Sequence, residues 1–531
     1  MHKFTKISTF ALFGLVTLGG AAGCSGGRGP VAFHMWSGFG STYSMYLDKL
    51  IDYEWENKQL NIGLSSKGSY ENLQKAINES IPTLDYPTVA NGYPDHFAGY
   101  IRTQVQLPLN DYIKNYDAAH GTNLMEDYYA DYMKENMTLH FQADGTASIM
   151  GLPFNKSTEL FGYNGYFVDY AISRGVITEL PKSWQEWQEK GPALRALQLE
   201  MCGKYLHGSV TEAGVASGFT LDENPGTDVI LDMHEVTPQT CRLMSWDASD
   251  NMFITIVRQW GGVYTSYSQD DMKMTNPHGW VEFNNVNATN TETGETVNGR
   301  EKTIAALEFF NGLFGKMDDP NSQIFGLPNN FGGLYSSDAF KDNKVMFTVC
   351  SSGGLSYNTG GEQRFRLAPI PYYDDGAVVR KFVISQGTNL ALFDQGSEET
   401  LQQAFDAMVD FTTGAVQASW ACDTGYFPGA RSAATDPAYT AMLASTDYSN
   451  ATLVAYRESA QVNENEYMAS GKGWTKFVDP GFVGSSEIRS TVKNILSDVF
   501  NYVGEGKENP KTIQEILDAA YVTLKSFVHN S

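Results

Sequence analysis

Four short segments between Lys67 and Pro428 combine glycine, hydroxyl and aromatic residues: Lys67-Gly68-Ser69-Tyr70-Glu71, Leu152-Pro153-Phe154-Asn155-Lys156-Ser157-Thr158, Val349-Cys350-Ser351-Ser352-Gly353-Gly354 and Thr424-Gly425-Tyr426-Phe427-Pro428. Small residues let backbone amides approach a ligand, hydroxyls bond its polar edge, and an aromatic ring covers its C–H face. The chemistry they suit is non-covalent capture of a small polar molecule. Arg489, in Ser485-Ser486-Glu487-Ile488-Arg489, adds a fixed fork of donors that suits two phosphate oxygens. Each residue also has a plainer reading. Arg489 could be an ion pair on a helix face, worth only ~0 to 1 kcal/mol at a surface. Tyr70 and Tyr426 could be core aromatics, although each lies in a glycine-containing turn segment. Trp246 could stack on a sugar or polyol face or simply pack; Trp36, at the end of a strand, is read as packing.

Catalytic constellations are missing from the sequence. It holds no phosphate-binding P-loop, no H-E-x-x-H and no G-x-G-x-x-G after a strand. The one Gly-x-Ser-x-Gly match, Gly23-Cys24-Ser25-Gly26-Gly27, does not lie on a strand-to-helix elbow. Paired carboxylates for glycoside hydrolysis stay open as a pattern, because 61 acidic residues offer many pairs. The reading is therefore a binding protein, not an enzyme, with no cofactor. Cys202, Cys241, Cys350 and Cys422 include no C-x-x-C pair and no histidines at ligand spacing, so no metal site is expected. Cys202 and Cys241 could form a disulfide in an oxidising compartment, and isolated thiols are an equal alternative.

The elements that would carry these residues alternate in an α/β pattern. Val31 to Trp36 reads as a strand, and Tyr46, Leu47, Leu50, Ile51, Tyr53 and Trp55 follow at helical spacing. Apolar stripes at Leu401, Phe405 and Met408, at Val492, Ile495, Val499 and Val503, and at Ile513, Leu517, Ala520, Leu524 and Phe527 predict core-packed helices. Asn287 to Gly299 reads as an exposed polar loop. With 531 residues, the chain exceeds what a single core accommodates, so at least two lobes are expected. A net charge of −24 argues against nucleic acid or an anionic membrane surface as partner.

At the N-terminus the basic Met1 to Lys6, the apolar Phe10 to Val16 and the small Gly19 to Gly23 form a secretory signal over residues 1–23. Ala21-Ala22-Gly23-Cys24 resembles the bacterial lipobox, departing from it at Ala21 where leucine is usual, and makes Cys24 the lipid-bearing residue ahead of a flexible linker, 24–30. The body would then hang outside the cytoplasm from a lipid in the cell membrane.

Taken in order, the four segments resemble the family-one extracellular solute-binding proteins, the maltose and glycerol-phosphate binding group, from about Val31 to about Val528. Leu107 to Ile113, Phe161 to Asn164 with Pro181 to Trp184, and Phe340 to Met346 resemble the family's lobe-defining segments. Within it the likeness is strongest to the sn-glycerol-3-phosphate-binding branch, through Lys67 to Glu71, Pro153 to Thr158 and Ser485 to Arg489. The resemblance implies a two-lobed periplasmic-binding-protein fold with a hinge and an interlobe ligand cleft. One lobe would comprise 31–151 and 382–436, the other 152–381 and 437–531, closing on the ligand. It also implies delivery to an ABC-type permease. Tyr70, Ser157, Ser351, Gly387, Tyr426 and Arg489 would contact the ligand, a glycerol phosphate or its diester. Where that branch carries a glutamate after the tyrosine, this chain has Tyr93-Pro94-Asp95, and Asp95 is expected to take over the hydroxyl contact. A mono- or oligosaccharide held by Asp95, Glu159 and Trp246 is the alternative ligand. An adhesive or structural surface lipoprotein is the alternative of another class.

Overall fold

The computed structural model describes residues 28–273, 277–291, 293–316, 318–333, 335–360, 364–504 and 506–529. The leader and Cys24 lie outside the described residues. The chain opens with β1 (Phe33–Ser37), where Phe33 and Met35 point inward, then α1 (Ser41–Lys58), which buries Tyr43, Leu47, Leu50 and Ile51. β2 (Ile62–Ser66), α2 (Tyr70–Ser80), β3 (Val89–Gly92) and α3 (Pro94–Arg102) continue the βαβα alternation, and β1 pairs in parallel with both β2 and β3.

After α4 (Ala130–Met137) comes β4 (Leu152–Asn164), thirteen residues that are buried almost throughout. α5 (Trp184–Met201) precedes β5 (Arg242–Trp246), α6 (Ser249–Gln259), β6 (Phe325–Gly326), β7 (Val345–Ser351) and β8 (Phe365–Ala368). The second long strand, β9 (Val379–Leu392), is followed by β10 (Trp474–Phe477) and α7 (Ser485–Val492). The strands join in the order β6-β5-β7-β4-β9-β3-β1-β2, with β8 on β4 and β10 on β9.

The two long strands tie two cores together. Leu152 and Phe154 of β4 and Leu390 and Leu392 of β9 belong to a core shared with β1 and α1. Further along the same strands, Leu160 and Phe161 of β4 and Val383 and Ile384 of β9 belong to a second core with Trp184, Trp187, Trp246 and Phe347. Between these apolar ends both strands turn polar, and there they pair antiparallel, from Ser385 opposite Thr158 to Leu390 opposite Leu152, with an irregularity at Thr388 and Asn389.

That polar waist is closed by its own hydrogen bonds, as buried polar groups require. The fully buried Lys156 ammonium pairs with Glu135 of α4 and donates to the Gly387 carbonyl at 3.1 Å. Asn389 Nδ2 donates to the same Glu135 carboxylate at 2.6 Å, and Asn136 Nδ2 donates to Asn389 Oδ1 at 2.9 Å.

The predicted helices are present, with two refinements. The stripe from Val492 to Val503 falls on two consecutive helices, α7 and Ile495–Tyr502, because the chain turns between them. The polar stretch Asn287 to Gly299 is not wholly a loop, since Ala288–Thr289 and Thr296–Val297 pair as a short hairpin.

Gly387 sits at the crossing with φ +101°, where a side chain would overlap the Asn155 carbonyl oxygen. Strain and overlap act together, so Gly387→Ala should lower the unfolding free energy by ~2 kcal/mol or more, read as a lower urea midpoint at unchanged slope.

Candidate functional site

Four chain segments converge beside the waist, and each is held there by a local device. Ser69 caps α2 by accepting from the Asn72 amide at 3.1 Å, which fixes Tyr70 at the helix start. Pro94 occupies the first position of α3, where its preset φ suits a helix, and places Asp95 in the first turn. Asp250 and Asn251 lie in the first turn of α6, directly after β5. Gly484, at φ +99° and tight against the Phe527 ring, turns the chain into α7, whose second turn carries Arg489.

The segments enclose a cavity of about 560 Å³ lined by Tyr70, Tyr93, Asp95, Asp250, Gly387 and Arg489 among others. It adjoins a second cavity of about 320 Å³ that shares Glu135, Val478 and Asp479. Contacts bridge the two cores across this cleft. Ser486 Oγ donates to Asp95 Oδ2 at 3.0 Å, and Tyr43 Oη donates to the Gly353 carbonyl at 2.8 Å.

Four of the expected residues, Tyr70, Asp95, Gly387 and Arg489, are brought together on the wall. Arg489 is also an ion-pair partner. Its Nη2 donates to Asp250 at 2.7 Å and to Asn251 Oδ1 at 2.6 Å, and its Nη1 to Asp479 at 3.2 Å. Among the described residues those bonds use three of the guanidinium's five N–H donors. Burial pushes Asp479 up to about 6 even against the neighbouring Arg489 and Arg258 charges.

The other four expected residues stand back from the cavity. Ser157 is buried in β4 opposite Gln386. Ser351 closes β7, its Oγ accepting from the Gly353 amide at 3.2 Å. The Tyr426 ring lies behind Tyr70, against Phe39 and Tyr43 at centroid distances of 6.2 and 5.9 Å.

Trp246 is corrected outright. It has no face toward the cavity, because it is fully buried, stacked on Trp184 at 6.0 Å, with its indole N–H donated to Glu159 at 2.8 Å. Glu159 is buried in the same core and does not line the cavity. Sequence reasoning missed Asp250, Asn251, Asp479, Tyr335 and Ser486 on the wall. Their one available signal was position, just after a buried strand end for Asp250 and in the Asp479-Pro480-Gly481 turn for Asp479.

Five lining carboxylates, Glu71, Asp95, Glu135, Asp250 and Asp479, face Arg489 and Lys493, so the cavity is acidic even with Arg489 inside it. Among the described residues no group of three or more His, Cys, Asp or Glu is placed to hold a metal ion, and no helix is long and apolar enough to cross a membrane.

Burial pushes Glu159 up to about 8, against the Trp246 indole that favours its charge. Between an ordinary 4.5 and about 8 the unfolded chain gives up a proton that the folded chain keeps, so stability falls as pH rises through that window. Glu159→Gln, which preserves an acceptor for Trp246, should flatten the fall in Tm across that range. Glu54, pushed up to about 8 by burial and by Asp410, retains part of the slope.

Comparison with known proteins gives this geometry a setting. Residues 52–446 match a family model described as bacterial extracellular solute-binding protein. No curated protein sequence matches the chain. Among solved structures, UgpB from Mycobacterium tuberculosis in complex with glycerophosphocholine superposes with a TM-score of 0.60 at 18% identity, covering 94% of this chain and 100% of that one. The ABC substrate-binding protein Lmo0181 from Listeria monocytogenes, in complex with cycloalternan, gives 0.60 at 13% identity, with 93% and 98% covered. The maltose/maltodextrin-binding domain MalE from Bdellovibrio bacteriovorus, bound to maltotriose, gives 0.57 at 13%, again with 93% and 98%. At these identities the likeness shows the fold, a mixed α/β periplasmic-binding-protein fold over about 94% of the chain.

Proposed function

The chain belongs to the bacterial extracellular solute-binding proteins, the non-catalytic substrate-binding components of ABC importers, and we propose that its solute is a net-neutral glycerophosphodiester of the glycerophosphocholine kind. The observation that carries this reading is Arg489 in the wall of an otherwise acidic cavity. With Asp250 and Asp479 drawing on its charge, the guanidinium suits the single negative charge of a phosphodiester and not the near-double charge of a phosphate monoester. Its unused N–H donors would reach the diester oxygens. The carboxylates of Asp95 and Glu71 would accept glycerol hydroxyls and face a quaternary ammonium, beside the Tyr70 and Tyr93 rings, which pack edge to face at 5.0 Å. A doubly charged glycerol 3-phosphate meets more repulsion in the same space.

A second reading, a neutral oligosaccharide, draws support from the joined cavities and from the hydrogen bonds already occupying Arg489. In both readings the two cores are two lobes, 31–151 with 382–436 and 152–381 with 437–531, that close by differential affinity of the ligand for the closed state. Ser351 then acts from behind the wall, supporting Gly353, and Tyr426 packs beside Phe39 and Tyr43. Cys24 would tether the body to the membrane through a lipid, and Cys24→Ala should move the protein from the membrane to the soluble fraction.

Calorimetric titration of the body from Ser25 onward tests the ligand. Glycerophosphocholine should bind saturably and more tightly than glycerol 3-phosphate. Arg489→Lys, which keeps the charge but loses the fork, should weaken that binding by about tenfold or more. Maltotriose binding that is indifferent to Arg489→Lys would establish the saccharide reading in its place. Tighter binding of glycerol 3-phosphate would refute the charge argument.

A further inference from the structure

The second core holds a cation, Arg195, that forms no ion pair with a carboxylate among the described residues. Arg195 of α5 is completely buried, and among the described residues its hydrogen bonds go to neutral acceptors or to sulfur: the carbonyls of Pro320, Pro238 and Cys241, the Gln198 side chain, and Cys241 Sγ at 3.1 Å. A second guanidinium, Arg242, donates to the Cys241 carbonyl at 2.7 Å. A buried positive charge is costly without a counter-ion, and among the described residues the acidic group that Arg195 bonds is the Cys241 thiol.

Cys202, at the end of α5, stands 3.8 Å from it, sulfur to sulfur. Cys241 is buried whereas Cys202 is partly exposed. Between them the chain forms a three-stranded antiparallel sheet, Tyr205–Val210, Ala216–Asp222 and Val229–Asp232, which packs Leu206, Ile230 and Leu231 into the same core.

We propose that Cys202 and Cys241 form a reactive dithiol that is reversibly oxidised to a disulfide by small-molecule disulfides outside the cytoplasm, with Cys202 as the point of entry and Cys241 as the resolving thiolate. The partly exposed Cys202 sulfur attacks one sulfur of the oxidant, its proton passing to the leaving sulfur, which gives a mixed disulfide and one released thiol. The Cys241 thiolate, held by Arg195, then attacks the Cys202 sulfur and releases the second thiol. The net change is two cysteine thiols plus one disulfide giving one protein disulfide and two thiols, so the protein is oxidised by two electrons and the oxidant reduced by two.

The local electrostatics favour Cys241 as the resolving thiolate, whereas the entry role of Cys202 rests on its partial exposure. The Cys202 thiol donating to it, then the Arg195 and Arg242 charges, hold Cys241 down at about 6 against its burial, while Cys202 is pushed up by the same shared proton. The arrangement also sets the direction of exchange. A guanidinium that stabilises the thiolate stabilises the reduced form, so the disulfide should be easily reduced again, unlike a permanent staple. Cys350 is buried and Cys422 has no cysteine in contact among the described residues, so neither competes.

The native chain, incubated across a series of reduced-to-oxidised glutathione ratios, acid-quenched, alkylated and peptide-mapped, tests this directly. A peptide linked through Cys202 and Cys241, lighter by two hydrogens, should appear with oxidised glutathione and vanish when reduced glutathione is restored. Cys241→Ser should trap a glutathione adduct on Cys202, whereas Cys202→Ser should leave Cys241 unmodified. Calorimetric ligand binding should be the same in both redox states, because neither cysteine lines the cleft. Alkylation of both thiols at every ratio would overturn the proposal, as would a link that resists excess reduced glutathione or an adduct that forms on Cys241 first.

Discussion

The ammonium of Lys156 lies where two hydrophobic cores meet, and no water reaches it. Taking such a charge out of solvent is tolerable only with a partner, and removing the partner of a buried pair typically costs ~3 to 5 kcal/mol. Glu135 supplies that partner, and Asn389 and the Gly387 carbonyl complete the shell. Much else follows from this one contact. It pins α4 against both long strands, fixes their register where each changes from one core to the other, and leaves another part of Glu135 on the wall of the cleft. Burial works against the lysine's charge and Glu135 offsets part of that effect, so removing either partner leaves the other buried and unpaired.

The alternation of strands and helices was legible because periodicity reports burial on one side. Val31 to Trp36 became β1, and the stripe beginning at Leu401 became the helix Glu398–Thr412. The crossing strands were not legible from periodicity and came only from the family resemblance, because a strand that passes between two cores carries a polar stretch inside an apolar run and fits neither repeat. What failed was direction. Trp246 and Asp250 are four residues apart, yet the indole turns into the core while the carboxylate faces the cleft, and nothing in residue type distinguishes those outcomes. Arg489 illustrates the same limit differently. Its two readings, ligand contact and ion pair, were posed as exclusive, and the geometry gives the ion pairs and a place on the wall to one side chain.

Charge distribution in the cleft bears on specificity more than its size does. A pocket that surrounds a partly engaged guanidinium with carboxylates discriminates by the net charge of what enters, because unpaired ligand charge has no place to be neutralised once water is excluded. The tyrosines add faces that accept C–H or cationic groups without demanding a formal charge of their own. Selectivity built this way resides in an electrostatic balance spread over Asp95, Asp250, Asp479 and Arg489, so single substitutions shift which class of solute is admitted.

The pairing of β3 with the last residues of β9 has a consequence for how the chain is made. Val89 to Gly92 leave the ribosome some three hundred residues before Asn389 to Leu392, the segment that covers their open edge. Until then the first core lacks Leu390, Leu392 and Phe405, and its sheet ends in unpaired amides. A nascent chain in that condition cannot complete either half alone, since sequence-distant contacts reward the chain only after a large loop is closed. Closure of the first sheet therefore waits on a contact between segments about three hundred residues apart, and folding of that half is tied to synthesis of the chain through β9.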